Sequence, residues 1–193
     1  FVDDLKGWDF VDNESDASDE NGHGTHVAGI AAGEGHNSIG ISGVCMNCSI
    51  MPVRVSGGEN ISLDIAEGMN YAIINNASIV SMSLNIGPCN VVSSLLDDMA
   101  NLAYSSGIVI SKSAGNDNDA CRKVFTTYNL IMVAASDEED EKAIFSNYGG
   151  WNLYFNQFLG TAMKSGAVVD VTAPGVNILS TVMLSDYGSK EGT

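Results

Sequence analysis

Basic side chains are scarce in this sequence. Eight Lys and Arg stand against 24 Asp and Glu, a formal charge of −16 at pH 7. A surface that negative repels phosphates, which argues against nucleic acid and anionic membrane as partners and suits cations. Long apolar runs are also missing, and none approaches the roughly 18–20 residues of a membrane span. The opening residues, Phe1-Val2-Asp3-Asp4, lack the basic and apolar stretches of a signal peptide. The chain does not begin with Met, so it reads as a processed product or a fragment. Cys45, Cys48, Cys89 and Cys121 are too few for a disulfide-scaffolded miniprotein. With 193 residues, 45% of them hydrophobic, the chain needs no such scaffold and suffices for one domain with its own core. Asn-x-Ser sequons at Asn13, Asn47, Asn60 and Asn76 suit a secreted protein.

What is present alternates strand and helix. Residues 50–55 read as a strand, and Ser62 precedes a helix whose Ile65, Met69 and Ile73 recur on one face. Residues 79–84 form the next strand. Ser93 or Ser94 caps a helix with Leu95, Met99, Leu102 and Ala103 as its apolar stripe, and Gly107 stops it. Residues 108–110 and 130–135 are buried strands. This order predicts βαβ units and a parallel sheet, with ligands at the carboxyl ends of its strands. Residues 12–20, 137–142 and the tail from Leu184 read as surface. Residues 151–164, crowded with aromatics, read as a packed surface loop, with a partner site or a gene-model error as alternatives.

Three motifs carry chemistry. In Asn21-Gly22-His23-Gly24-Thr25-His26-Val27-Ala28-Gly29, glycines flank His23, so a substrate backbone can approach the imidazole. Gly24, Ala28 and Gly29 give the following helix a smooth face for packing on a sheet. A general base needs that combination of exposure and rigid support; a Gly-rich helix start with a solvated His is the bland alternative. A zinc site on His23 and His26 lacks the usual four-residue spacing and adjacent Glu. Ser111-Lys112-Ser113-Ala114-Gly115-Asn116 follows a buried strand and offers the Asn116 amide as an oxyanion donor, although Gly-Asn is also an ordinary turn. Residues 169–181, with Ala173-Pro174-Gly175, read as strand, turn, strand. Cys45-Met46-Asn47-Cys48 precedes a strand rather than opening a helix, which disfavours a redox pair and leaves a local disulfide or buried thiols.

Together, in this order, these segments resemble the subtilisin-like serine proteases over nearly the whole chain. The His23 block resembles the family's catalytic-histidine block, Ala114-Gly115-Asn116 its oxyanion block, and Ala173-Pro174-Gly175-Val176 its lead-in to the serine block. Met82-Ser83-Leu84 is similar to its substrate-pairing strand. The resemblance implies a doubly wound, mostly parallel α/β fold with helices on both faces, incomplete at both ends, within a single peptidase domain spanning 1–193. It also implies a serine endopeptidase with His23 and Asn116 as catalytic groups, acting on protein or peptide substrates. Ser83, Leu84, Asn85, Ser113, Ala114 and Gly115 would bind substrate. Asn85 stands where a glycine usually follows Ser-Leu, which would narrow the mouth of the primary pocket. No Asp here is followed by Ser-Gly or Thr-Gly, and the chain ends at Gly192-Thr193, where the family continues with its nucleophile. The resemblance therefore implies a chain that starts just after the catalytic aspartate, stops one residue before the serine, and alone hydrolyses no peptide bond. The family further implies a structural calcium on Asp4, Gly35, Asn37, Ile39 and Ile41, a Cys89–Cys121 disulfide, a propeptide and an extracellular location. The competing reading is a non-catalytic pseudoprotease that binds extended peptides in the same cleft; a third, a metal- or redox-dependent protein, would need zinc or a low-pKa thiol.

Overall fold

A computed structural model describes residues 6–86, 93–120, 129–149, 169–184 and 186–193, together with the backbone of 3–4, 153–156 and 161–164. Its elements run β1 (Asp3–Asp4), β2 (Trp8–Asp9), α1 (His23–Ala32), β3 (Ser49–Ile50), β4 (Val53–Arg54), α2 (Ile61–Ile74) and β5 (Ile79–Met82). They continue with α3 (Ser94–Ser105), β6 (Val109–Ser113), β7 (Ile131–Ser136), β8 (Leu153–Asn156), β9 (Thr161–Lys164), β10 (Val171–Pro174), β11 (Ile178–Val182) and β12 (Asp186–Lys190). The chain groups into two units, Phe1–Tyr71 with Asn177–Glu191, and Ala72–Val176 with Gly192–Thr193.

In the first unit β1 pairs parallel with β3 and β2 with β4. The single strand expected over residues 50–55 is thus two short ones. Pro52 lies between them without an N–H to donate, while its carbonyl accepts from Trp8 N–H at 3.1 Å. The Arg54 guanidinium at the end of β4 donates to Asp9 (2.6 Å), Asp12 (2.7 Å) and Glu20 (3.0 Å). Asp9 is only 1% exposed. Burial would raise its carboxyl, but the Asp12 N–H, the guanidinium and the Val11 N–H together hold it below the usual carboxylate value. The acidic surface stretch is thereby tied to β4. The tail from Leu184, expected as plain surface, instead supplies β12, which forms an antiparallel hairpin with β11. Backbone pairing makes this strand, since Asp186-Tyr187-Gly188-Ser189-Lys190 has no apolar alternation to announce it.

The second unit is built on a four-stranded, all-parallel sheet in the order β10-β7-β6-β5. α3 connects β5 to β6 and packs on β6. Ser93 is its cap, with Oγ accepting from Leu96 N–H at 3.4 Å. The buried stripe is Leu96, Ala100 and Ala103, whereas Leu95 and Leu102 are 42% and 47% exposed. Of the expected stripe Ala103 is buried and Met99 half-buried, while Leu96 and Ala100 take the places expected of Leu95 and Leu102. In α2, Ile65 and Met69, which belong to the first unit, are buried as the periodicity predicts. That helix starts at Ile61, before Ser62, with the Asn60 carbonyl accepting from Leu63 and Asp64. Within residues 151–164, expected as a loop, β8 and β9 pair antiparallel. The result is the mostly parallel α/β fold that the alternation of elements predicts.

Candidate active site

His23 is the first residue of α1 and is exposed, in the first unit. Its support comes from both ends of the motif. The N-cap, Gly22, has no side chain to offer, and Asp19 supplies the missing oxygens. Asp19 Oδ1 accepts from the N–H groups of Asn21 (2.9 Å) and Gly22 (2.8 Å), and Oδ2 from the N–H and Oγ1–H of Thr25, both at 2.7 Å. A carboxylate at the positive end of a helix, filling its orphan donors, fixes the first turn and with it the backbone of His23. Behind the turn, α1 lies directly on β11. A Cβ at Gly29 would collide with the hydroxyls of Thr181 and Ser180, so only glycine permits this approach. Those hydroxyls donate to the carbonyls of Thr25 (2.8 Å) and His26 (2.7 Å), and Lys190 Nζ donates to Gly22 O at 2.9 Å. His26 is buried with Nε2 bonded to the Ile178 carbonyl at 2.9 Å. The two histidines therefore have separate tasks, one exposed and one structural. No metal-binding group of His, Cys, Asp and Glu occurs among the described residues.

The Asp19 carboxyl is lowered to about 2: burial raises it, but the four bonds from Thr25, Asn21 and Gly22 outweigh burial. Its folded value lies below the unfolded one, so the stabilisation is complete above about pH 4 and is lost as pH falls toward 2. The shift sets an upper limit of about 2 kcal/mol, reduced toward 1 by solvent screening at this part-exposed site. Asp19→Ala should lower Tm by several degrees at pH 6 and hardly at all at pH 2, measured by thermal unfolding. An equal loss at both pH values would show that the carboxylate charge is irrelevant.

The second unit carries the asparagine. Gly115, at φ +102°, turns the chain beyond the carboxyl end of β6 and brings Asn116 to the surface. Asn116 Oδ1 accepts from the N–H and the Oγ1–H of Thr193, each at 3.0 Å, and Thr193 Oγ1 also accepts from Gly115 N–H at 3.0 Å. With the oxygen end of the amide so held, its NH2 end is the donor it has to offer, and it lies beside Gly192. Ser113 Oγ–H donates to Leu84 O at 3.4 Å, joining the end of β6 to the segment after β5. Ser83 and Leu84 are half-buried, Asn85 is exposed, and Ser113 and Ala114 are buried. Among the described residues β5 is an edge strand of its sheet. Thus Leu84, Ser113, Ala114, Gly115, Asn116 and Thr193 come together in one unit.

Lys112, which nothing in its neighbouring residues singles out, is only 3% exposed, and burial lowers its amine to about 8. Nζ donates to Ser113 O (2.6 Å) and Oγ (2.9 Å), and no acidic side chain among the described residues pairs with it. The unfolded chain keeps this proton up to about pH 10.5, so the cost of burying the charge is fully present below pH 8 and disappears as pH rises to 10.5. Its size is on the order of 3 kcal/mol. Relative to the native protein, Lys112→Met should gain stability at pH 7 and forfeit that gain at pH 10.5. A Tm difference independent of pH would contradict a charged buried lysine.

In the loop after α1, Asn37 Oδ1 accepts from Ile39 N–H at 3.0 Å, and His36, Ser38 and Gly40 all have positive φ. The donors expected of Gly35, Asn37, Ile39 and Ile41 are all oxygens, which fits a hard cation. Asp4 lies in β1, and its side chain is outside the described residues. Cys45 and Cys48 form a disulfide, the local pairing that their spacing allows. Cys89 and Cys121 fall outside the described residues.

Comparison with known proteins draws these parts together. The family model described as the subtilase family matches residues 2–193. The chain is 38% identical over 192 residues to a thermophilic serine proteinase of Bacillus sp., covering 98% of this chain and 43% of that protein. It is 40% identical over 190 residues to thermitase of Thermoactinomyces vulgaris, covering 97% of this chain and 61% of that protein. A solved cold-adapted subtilisin-like serine proteinase superposes with a TM-score of 0.76 at 30% identity, over 98% of this chain and 62% of its own. A protease of Pseudoalteromonas arctica gives 0.77 at 28%, over 98% and 67%. The chain thus spans 43% to 61% of the length of the two sequence relatives. A family match along almost every residue, on a parallel α/β fold with the histidine and asparagine blocks in order, leaves one conclusion: the chain belongs to the subtilase family.

Proposed function

We propose that this chain is the central part of a subtilisin-type serine endopeptidase. The observation that carries the reading is the clamp on Asn116. Its oxygen is held by Thr193, which leaves the NH2 beside Gly192 as the donor, and Thr193 itself is bonded to Gly115. In this reading the residue after Thr193 is the serine nucleophile, and the bonds from Thr193 to Asn116 and Gly115 support its lying next to the oxyanion donor. His23 takes the proton from that serine and later gives it to the leaving amine. An aspartate upstream of this chain holds the tautomer of His23 through its other ring nitrogen. The Asn116 NH2 and the serine N–H bind the oxyanion of the tetrahedral intermediate. An extended peptide adds along Ser83, Leu84 and Asn85 at the β5 edge, and Ser113, Ala114 and Gly115 wall the primary pocket. The parent protein should cleave an unstructured protein internally, and a fluorophosphonate should abolish cleavage. Tight binding of extended peptides without any cleavage would establish the pseudoprotease instead.

The same reading makes the protein extracellular, with a propeptide as an additional partner. The Cys45–Cys48 disulfide supports an oxidising compartment. It also includes a structural calcium on the Asp4 carboxylate, the Asn37 side chain and the carbonyls of Gly35, Ile39 and Ile41. Calcium would bind only the folded state, so it should raise Tm with concentration by mass action. Magnesium, which demands octahedral geometry and sheds water reluctantly, should stabilise far less, and Asp4→Asn should weaken the calcium response. Equal effects of both ions, unchanged by Asp4→Asn, would mean diffuse screening of the −16 charge.

A further inference from the structure

The loop that presents Asn116 has little regular structure of its own, yet three backbone groups flanking Asn116 are bonded to one distant side chain and a fourth to that residue's backbone. Asn147 is 1% exposed and lies 31 residues further along the chain than Asn116. Its backbone N–H donates to Gly115 O at 2.8 Å. Its Nδ2 donates to Ala114 O (3.0 Å) and to Asp117 Oδ2 (3.2 Å). Its Oδ1 accepts from the N–H groups of Asp117 (2.9 Å) and Asp119 (3.0 Å). Adjacent bonds extend the seam, from Asn118 N–H to Phe145 O (2.8 Å) and from Tyr148 N–H to Asp119 O (3.0 Å). Asn147 is itself anchored, because Ser146 Oγ–H donates to its carbonyl at 3.0 Å and accepts from Ala135 N–H in β7 at 2.9 Å. Gly115 is fitted to this side chain, since a Cβ there would stand 2.5 Å from Asn147 Nδ2.

We propose that Asn147 is the positioning residue of the oxyanion donor, fixing the backbone on both sides of Asn116 so that its NH2 stays aimed at one point. The inference rests on the oxyanion role of Asn116. An amide uses donor and acceptor at once, so one buried side chain holds the carbonyl before Gly115 and the N–H groups after Asn116. Electrostatic stabilisation of a transition state depends on donors that need no reorganisation as charge develops. A loop free to move would give that up while Ser83, Leu84 and Asn85 keep their hold on substrate. Loosening the Ala114–Gly115 pocket wall raises KM only slightly beside the loss of the aimed donor, so kcat should fall by much more than KM rises.

The test is a double-mutant cycle in the parent protease. Asn147→Ala should lower kcat about 10-fold with KM changed less than about twofold. In an Asn116→Ala background, the same substitution should change kcat by less than about twofold, because the donor being positioned is gone. Asn147→Asp keeps both accepted bonds, loses the donor to Ala114 and faces the Asp117 carboxylate, so it should fall between native and Asn147→Ala. If Asn147→Ala does not fold, Asn147→Asp carries the same cycle. Equal kcat losses in both backgrounds, or a loss expressed in KM, would overturn the positioning role. A negligible effect of Asn116→Ala alone would instead overturn the oxyanion reading beneath it.

Discussion

Replacing His23 by Ala in the parent protease should lower kcat by about 10⁶ while KM stays nearly constant. That magnitude is the one known for subtilisin itself, a member of the same family. What the structure adds is the reason neither of the other two histidines of this chain can substitute. The chain has three histidines. His26 is buried with Nε2 committed to the Ile178 carbonyl, and His36 sits in the loop after α1. Neither is presented at the mouth of α1, where Asp19, Lys190 and the β11 hydroxyls hold the turn of His23. Fold and substrate strand should survive the substitution, because His23 is exposed and opens its helix rather than packing beneath it. A modest loss of kcat, or a large rise in KM, would remove His23 from the chemistry.

Asn116→Ala should lower kcat by about 10²–10³, again with little change in KM, a scale that likewise comes from subtilisin's own oxyanion asparagine. The donor acts on charge that exists only in the transition state, so ground-state binding is insensitive to it. Asn116→Asp separates two explanations. It keeps an oxygen to accept from Thr193, preserving the clamp, but replaces the NH2 with negative charge. If the amide acts as an oxyanion donor, the Asp variant should be at least as impaired as the Ala variant. If the clamp on Thr193 is what matters, the Asp variant should retain most activity.

Much of this can be read from local chemistry. Gly115-Asn116 after an apolar strand predicts a turn presenting an amide, and small residues along α1 predict close packing on a strand. Both depend on neighbours within a few positions. The phase of α3 does not, because Leu95, Leu96, Met99, Ala100, Leu102 and Ala103 offer apolar residues on several faces. Packing on β6 chooses among them, in favour of Leu96, Ala100 and Ala103. β12 is polar throughout and becomes a strand only by pairing with β11. Asp9 and Arg54 are 45 residues apart, and the bond between them has no signature in either neighbourhood. Asp19 is within reach of the sequence. It lies four residues before His23, in position to accept from the turn, but the acidic run around it has the look of solvated surface. Asn147 lies between Ser146 and Tyr148, with nothing local to mark it, because its partners are the backbone of another loop.

The central claim is that the clamp formed by Asn116, Gly115 and Thr193 delivers a serine nucleophile that His23 activates. Mapping the site of fluorophosphonate attachment in the parent protein by peptide mass spectrometry tests it most directly. The adduct should lie on a serine immediately following Thr193 and should be absent from the His23→Ala variant. An adduct on any serine within residues 1–193, or labelling that persists without His23, would contradict it.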